Sequence, residues 1–428
     1  LSAVTPWILS DDLSKFFSVL LPFGAALVSL LAGGYLEEHR LNRGEFYTII
    51  LFSTFGAMTL AAAGDLLTIL LGLETMSLGA YALSAFRRTS QRSVEAGLKY
   101  FLLGSFAAAI MLFGFAFLYG VTGHTDLAGI KNEIASAGIN GRLVFAFVLI
   151  FVGIVFKLSV IPFHMWAPDA YEGAPTPASS LMAATVKAGA FAMAARLLVT
   201  VFGDAGFASW GTGWPPVLAW ISVITMFVGN LIAGRQDSVK RMLAYSSVVH
   251  AGYMLIAFVT VSRAGAAEVS GLFFYLATYT VSTIGAFGAL ILAGSRGKEA
   301  VSYEDLSGLG KRHPAAALAF SFFLLSLAGI PPTAGFMGKW YILRSAINGG
   351  FTALAVAGFL ASVLGAYYYL RVLQYMYTRD PAPGATVAVP MRSPMVYAAL
   401  ILSAVAVLAL GFAPEATFRM AEAAAKSL

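Results

Sequence analysis

The chain contains no cysteine and few charges. The absence of Cys from its 428 residues excludes disulfides, covalently attached haem and iron–sulfur clusters held by thiolates. The five His are scattered without metal-ligand spacing, so we expect no metal centre in this chain. Charged residues make up 11% of the chain, against about 25% in an average soluble domain. A soluble protein of this length could not cover its surface with so few charges.

Long apolar stretches occupy the chain instead. Hydrophobic residues account for 59% of it, and the mean hydropathy is +0.80. A transmembrane helix needs about 20 apolar residues, whereas barrel strands alternate over about ten. We therefore predict an all-α polytopic membrane protein with twelve spans. Their predicted limits are 14–36, 46–63, 65–86, 95–122, 142–165, 176–202, 215–233, 239–261, 268–293, 314–347, 351–378 and 393–412.

The basic residues indicate an orientation for these spans. Alternate loops on one side carry fourteen Lys and Arg residues, and the loops on the other side carry six. The fourteen are Arg40, Arg43, Arg87, Arg88, Arg92, Arg235, Lys240, Arg241, Arg296, Lys298, Lys311, Arg312, Arg379 and Arg392. Because cytoplasmic loops carry an excess of positive charge, this side is predicted to be cytoplasmic and both ends of the chain to lie outside. The net charge of +6 reflects these loops, so we expect no nucleic-acid binding.

Two of the spans are interrupted by proline. The fifth is predicted to break at Ile161-Pro162, and the tenth contains AGIPPTAGFMGKW (328–340). Proline removes a backbone donor, and the carbonyls that it frees need other partners. Broken spans in corresponding positions are typical of inverted repeats around an ion path. We predict an N-terminal helix with flanking loops (1–45), two inverted five-helix repeats that form half-channels (46–202 and 203–378), and a C-terminal helix with a tail (379–428).

Four ionisable residues fall near the middle of predicted spans, namely Glu74, Lys157, Lys187 and Lys339. A charged side chain at the bilayer centre costs about 2.5–3.5 kcal/mol on insertion scales, and such residues commonly mark ion or proton pathways. Apolar surroundings disfavour the charged form of a lysine and a nearby carboxylate favours it. A central lysine beside Glu74 could therefore load and release a proton. A structural ion pair of Glu74 with Lys187 is the alternative.

His250 and Lys99 are further candidates for proton transfer. His250 lies at mid-span among Ser and Tyr residues, where an imidazole can relay protons, hold water or serve as a hydrogen-bonded packing residue. Lys99 lies about five residues into its span and can extend to the cytoplasmic face, so its role is either functional or interfacial. Asp65 is predicted to cap the start of a span, and Arg196 to act as an interfacial anchor.

Several motifs, taken together, indicate a family. The stretch FKLSVIPFHMWAPDAYEGAPTPASSLMAATVKAGAF (156–191) closely resembles the antiporter-like subunits of respiratory complex I, and its PFHMWAPDAYEGAPTP part is similar to the subunit N branch. Lys339 also favours that branch, because one sister subunit typically has Glu at this position. Further matches in the same order cover essentially the whole chain. They are GLETMSLGAYAL, SVEAGLKYFLLGS, KRMLAYSSVVHAGYM, LSLAGIPPTAGFMGKWYIL and GAYYYLRV.

The resemblance implies a fold and roles for individual residues. The family usually has fourteen helices, and this chain starts at what resembles the loop before the third. The resemblance also implies that no cofactor is bound in this chain. NAD, FMN, iron–sulfur clusters and quinone are expected in other subunits of the complex. The family's proton-transfer positions correspond to Glu74, Lys99, Lys157, Lys187 and Lys339, and His250 matches a position that is often polar in the family.

These observations predict a proton-translocating membrane subunit of NADH:quinone oxidoreductase. Its expected partners are the adjacent antiporter-like subunits and the lipid bilayer of the bacterial inner membrane. An Mrp-type cation/proton antiporter or a membrane-hydrogenase subunit is the main alternative, because these proteins share the same half-channel parts. A twelve-span carrier of organic solutes would need an asymmetric polar cavity. A structural scaffold would contain the same charges as inert pairs.

Overall fold

The computed structural model describes residues 5–41, 43–204, 206–294, 297–381 and 393–428. Within these ranges helices make up all the regular secondary structure, with three isolated backbone bridges between loops. The helices are α1 (Asp12–Glu38), α2 (Glu45–Ala62), α3 (Leu66–Ser84), α4 (Gln91–Thr122), α5 (Leu127–Ala137), α6 (Gly141–Lys157), α7 (Trp166–Gly173), α8 (Thr176–Leu181), α9 (Lys187–Ala195), α10 (Trp214–Gly234), α11 (Val239–Ala264), α12 (Ser270–Ala293), α13 (Tyr303–Leu306), α14 (Leu309–Arg312), α15 (Pro314–Ala328), α16 (Ala334–Asn348), α17 (Thr352–Thr378), α18 (Pro394–Phe412) and α19 (Glu415–Lys426).

The predicted class of an all-α polytopic membrane protein is confirmed. In the described part of the chain, ten helical passages are long and apolar enough to cross a membrane. The two predicted interrupted spans are the pairs α6–α7 and α15–α16. Arg296 and Arg392, two of the predicted cytoplasmic charges, lie outside the described residues, as do parts of three of the four predicted chain segments.

The fifth span ends earlier than its proline suggested. Helix α6 stops at Lys157, and Ser159 takes a left-handed φ of 59°. The predicted continuation to 165 was therefore wrong. Pro162 disfavours helical geometry at the residue before it and cannot donate to the preceding turn. The freed Ile161 N–H donates instead to Thr225 Oγ1 on α10, at 3.1 Å.

The tenth span divides where the sequence indicated. Helix α15 ends at Ala328, because Gly329 adopts a left-handed φ of 86° that favours glycine. Helix α16 begins at Ala334, after the two prolines. The carbonyl of Ala328 thus loses its helical donor at membrane depth and needs another.

Three helical passages form a core that other helices shield from lipid. The most apolar stretches of Thr176–Val201 and Ala266–Ala293 are wholly buried, and that of Val239–Ala264 is 94% buried. By contrast, only 28% of the corresponding stretch of α18 is buried. A helix that is apolar on all sides belongs in the interior, and small residues such as Gly189, beside Ala57, allow close packing there. Polar side chains on the core helices therefore face protein.

Some local structure was not predicted. The passage Thr176–Val201 contains two π-helical segments, Met182–Val186 and Arg196–Val201, so each of its two basic residues adjoins a widened turn. Such turns are frequent at functional sites. The predicted loop at 122–142 contains helix α5, which Asp126 caps. The predicted C-terminal tail contains α19, whose Ala421, Ala424 and Ala425 are buried.

Arg196 is not the interfacial anchor that the sequence suggested. Its side chain is buried and forms a bidentate pair with Asp11, at 2.5 and 2.7 Å. Its Nε and Nη2 also donate to the carbonyl of Ala61, at 3.1 and 2.8 Å. The guanidinium therefore joins the start of α1, the end of α2 and the core helix, because its planar donors reach all three. Asp65 caps α3 as predicted, accepting from the Leu67 N–H at 2.7 Å.

We expect Asp11→Asn to lower the free energy of unfolding by about 3 kcal/mol, because it leaves the buried Arg196 without its counter-charge. Although burial raises the pKa of Asp11, Arg196 lowers it further, to below its usual 3.8. The pair therefore stabilises the fold at neutral pH, and its contribution is lost as the pH falls below that value. Equilibrium unfolding in detergent measures the loss. Asp12→Asn is the matched control, because Asp12 is an exposed neighbour whose ion pair among the described residues is with exposed Lys15. An equal loss there would contradict the assignment.

Candidate functional site

Lys157 lies in an aromatic enclosure at the end of α6. Its side chain is buried, and Nζ donates to Ser77 Oγ on α3, at 2.6 Å. The rings of Tyr81 and Tyr100 lie 5.4 and 5.8 Å from the amine. Ring faces stabilise a cation when they are shielded from water. The enclosure can therefore hold a charged amine away from bulk solvent.

The break after α6 completes this enclosure. Trp166, at the start of α7, donates through Nε1 to the carbonyl of Phe156, at 3.0 Å, which also accepts from the Ser159 N–H. Its ring stacks on Tyr100 with centroids 4.2 Å apart and meets the Tyr171 ring edge-on at 6.3 Å. The interruption thus places an aromatic run beside Lys157, and this run leads toward the core helices.

Glu74 lies on the same side of the molecule as Lys157. It is half-buried on α3, one helical turn before Ser77, and interacts electrostatically with Lys157. The hydrogen bond of the Lys157 amine goes to Ser77 rather than to the carboxylate. The structure therefore brings Glu74 and Lys157 together around Ser77, a residue that sequence reasoning missed although it stands three positions after Glu74. The alternative of a Glu74–Lys187 ion pair finds no support among the described residues.

Lys187 lies directly after the first π-helical segment and is buried. Its Nζ donates to the carbonyl of Ser247 on α11, at 2.7 Å. Ser247 stands one helical turn before His250. Lys187 therefore meets α11 beside the histidine, which places two of the predicted residues in one neighbourhood.

His250 lies at the centre of the core and is hydrogen-bonded on both sides of its ring. Nδ1 lies 2.6 Å from Tyr275 Oη and Nε2 lies 3.1 Å from Tyr369 Oη. The Tyr369 hydroxyl also bonds to Ser246. An imidazole between two hydroxyls can accept a proton at one nitrogen and donate from the other. Tyr275 and Tyr369 were not singled out from the sequence, because tyrosines in apolar helices are common.

Lys339 satisfies the carbonyl that the second break exposes. Its Nζ donates to Ala328 O at 2.8 Å and to Ser362 Oγ at 2.9 Å. The ring of Tyr253 lies 5.1 Å from the amine. Tyr253 stands one helical turn after His250 on α11. One face of α11 therefore presents Ser247, His250 and Tyr253 in succession, from Lys187 to Lys339.

Several buried hydroxyls in the interior have no hydrogen-bond partner among the described residues. A buried hydroxyl needs a partner, and ordered water commonly supplies it. Hydration at these positions would extend the polar contacts along the core. The hydroxyls are those of Tyr100, Ser180, Thr185, Ser247, Tyr253, Thr280 and Thr283.

Lys99 stands apart from these residues. Its side chain is 46% exposed and pairs with Glu95 at 2.7 Å and Asp169 at 3.0 Å. Asp169 also pairs with Arg241, at 2.7 Å. Glu95, Lys99 and Asp169 line an open cleft of about 310 Å³. Of the six predicted site residues, Lys99 therefore lies in a surface charge network rather than in the buried groups.

No cluster of three or more residues suited to hold a metal ion occurs in the described part of the chain. The chemistry that the arrangement supports is proton transfer among amines, an imidazole, hydroxyls and a carboxylate.

Comparison with known proteins agrees with this chemistry. Residues 63–365 match the family described as NADH:quinone oxidoreductase/Mrp antiporter, transmembrane. The chain therefore belongs to this family of antiporter-like membrane subunits. It is 60% identical over 424 residues to NADH-quinone oxidoreductase subunit N 1 of Sorangium cellulosum, covering 98% of this chain and 84% of the relative. The predicted resemblance to subunit N is thereby confirmed.

Solved structures show the same fold. A chain of respiratory complex I from Thermus thermophilus with bound aureothin superposes with a TM-score of 0.78 at 36% identity, covering 96% of this chain and 86% of that one. A chain of the Mrp complex from Dietzia sp. DQ12-45-1b superposes with a TM-score of 0.82 at 23% identity, covering 96% and 83%. At that identity the Mrp match shows a common fold alone.

We expect Gly329→Ala to destabilise the protein by about 1–2 kcal/mol, because its left-handed φ disfavours a side chain. The added methyl would also lie 3.2 Å from Lys339 Nζ, so the amine must move. Thermal unfolding in detergent measures the effect. Gly120→Ala is the control: beyond its own helical turn, no described atom lies within 4 Å of the new methyl, so the substitution should be neutral or slightly stabilising. Equal behaviour of the two variants would contradict this account.

Proposed function

We propose that this chain is the proton-translocating membrane subunit of an NADH:quinone oxidoreductase, equivalent to subunit N. The observation that carries the proposal is the succession of Ser247, His250 and Tyr253 along one face of α11, which joins Lys187 to Lys339 in a lipid-shielded core. The 60% identity to a subunit N supports it. As a part of that enzyme the chain contributes proton movement, and the redox groups belong to other subunits.

The route follows the buried contacts. A proton reaches Lys157 from the cytoplasmic side, in the enclosure formed by Ser77 and the two tyrosines. It passes to Lys187, then along the His250 region to Lys339, from which it leaves. When Glu74 moves relative to Lys157, the balance between the charged and the neutral form of the Lys157 amine changes, because a nearby carboxylate favours the charged form. Redox energy from neighbouring subunits acts through this pair.

Each proposed half-channel contains one of the two interrupted passages. The half-channel in 46–202 contains Lys157 at the end of α6. The half-channel in 203–378 contains Lys339, which donates to the carbonyl at the end of α15. The segments 1–45 and 379–428 flank them. We assign the basic side to the cytoplasm of a bacterium, and both ends of this chain to the outer side of the inner membrane.

NAD, FMN, iron–sulfur clusters and quinone are assigned to the other subunits of the complex. The absence of cysteine is consistent with this division of chemistry. The adjacent antiporter-like subunits and the bilayer are the proposed partners. The Mrp alternative rests on the shared family description and on a common fold at 23% identity, and no contact in the described residues favours it.

Lys157→Met in the assembled, reconstituted complex should lower proton translocation per electron by roughly 100-fold or to background, because positioned proton-transfer groups contribute about 100- to 10,000-fold. Fluorescent pH indicators inside proteoliposomes, read against NADH oxidation, measure this ratio. Lys131→Met, at an exposed lysine on α5, is the control and should keep the ratio. Normal translocation by Lys157→Met would refute the route.

A further inference from the structure

The turn between α7 and α8 is held by a charged pair from distant parts of the chain. Lys240, at the start of α11, is fully buried and donates through Nζ to the carbonyl of Ala174, at 2.5 Å. The same amine lies 3.2 Å from Glu299 Oε2. Lys240 was assigned from sequence as a topology charge, but its burial requires a partner that a loop charge would not need.

Glu299 supplies the cap that the core helix lacks locally. Pro175 precedes Thr176 and offers no side-chain acceptor, so the first N–H groups of the helical passage need one from elsewhere. Glu299 Oε1 accepts from the Thr176 N–H at 3.3 Å and from its hydroxyl at 2.7 Å. Tyr35 Oη donates to the same oxygen, at 2.5 Å.

The carboxylate stays ionised in this setting. Burial alone raises the pKa of Glu299, but the Lys240 ammonium and the hydrogen bonds from Tyr35 and Thr176 lower it to about 2. A negative charge at a helix N-terminus is also favoured by the helix dipole. Glu299 therefore serves as a fixed anionic cap, contributed by the connection that follows α12.

The two helices joined by this pair meet again at the candidate site. Thr176 and Lys187 belong to one continuous passage, Thr176–Val201, and Lys240 and Ser247 belong to α11. Lys187 Nζ donates to Ser247 O at 2.7 Å. A shift of the passage at Thr176 therefore changes the position of Lys187 against α11, because a helix transmits axial displacement along its length.

We propose that Glu299 and Lys240 are positioning residues that set the register of the Lys187 helix against α11. Their effect on proton translocation rests on the proposed function. Without the pair, the amine of Lys187 no longer meets the Ser247 carbonyl beside His250, and proton transfer between Lys187 and the His250 region slows.

The test uses the assembled complex in proteoliposomes. Glu299→Ala removes both the cap and the charge, and should lower protons translocated per electron by about tenfold, since a misplacement of about 1 Å can cost roughly 100-fold. Glu299→Gln keeps an acceptor for Thr176 and should lose only about threefold, because the neutral bond is weaker. Complex content and NADH oxidation should remain near normal. Glu304→Gln, an exposed glutamate on α13, is the matched control and should leave the ratio unchanged.

A charge-exchanged variant, Glu299→Lys with Lys240→Glu, separates the cap from the ion pair. It restores opposite charges, but a lysine at 299 cannot accept from Thr176. We expect no recovery of the ratio, and full recovery would overturn the capping role. If the complex with Glu299→Ala does not assemble, Glu299→Gln becomes the test. A wild-type number of protons translocated per electron in Glu299→Gln overturns the proposal.

Lys187→Gln distinguishes this inference from the proposed function. If Lys187→Gln abolishes translocation while Glu299→Ala translocates normally, the positioning role is wrong and the route stands. If Lys187→Gln itself translocates normally, the route through Lys187 is wrong.

Discussion

A lysine amine at membrane depth needs an acceptor, and the arrangement of the core depends on where acceptors arise. A regular helix uses its own carbonyls. The three buried lysines instead use an exposed helix end, a side chain and a second bond to a carbonyl of a neighbouring helix. Lys339 donates to the carbonyl that the α15 break exposes, and Lys187, which follows a π-helical segment, donates to the Ser247 carbonyl on α11. Lys157 is the last residue of α6, and its amine donates to Ser77 on α3. Irregular backbone and buried charge therefore occur together.

The central helix α11 brings two of these amines, Lys187 and Lys339, to one polar face. It is almost fully shielded from lipid, so its polar side chains can face only protein or enclosed water. Ser247, His250 and Tyr253 recur at single-turn intervals, which places them on a common face. Lys187 approaches this face near one end and Lys339 near the other. The peripheral helices provide the apolar cover that keeps this polar core away from lipid.

Buried ion pairs near the helix ends hold distant segments of the chain together. Arg196 with Asp11 and Lys240 with Glu299 each join segments that are far apart in sequence. Both basic residues are buried, so their partners are needed for the charge to be tolerated at all. Each pair fixes one part of the core passage, at Thr176 and at Arg196, with Lys187 between them. Lys187, a candidate for proton transfer, thus lies between two charged pairs that the proposed proton route does not use.

Much of the fold could be predicted from the sequence, because long apolar runs and prolines are local signals. Most span limits, the two interruptions and the positions of Glu74, Lys157, Lys187, His250 and Lys339 along their spans follow from counting along the chain, although the fifth span ends earlier than predicted. Partners could not be predicted in this way. Ser77 and Glu299 become visible only when distant helices pack, and Lys99 has the same residue type as Lys157 but faces outward.

The sequence by itself determined that this is a helical membrane protein with titratable residues at mid-span, because hydrophobic length and the cost of a buried charge can be read residue by residue. Only the tertiary structure decided which amine meets which acceptor. It moved the end of the fifth span to Lys157, placed Lys99 in a surface charge network and showed that Lys240 is buried against Ala174 and Glu299. These outcomes depend on contacts between residues tens of positions apart, which no local pattern encodes.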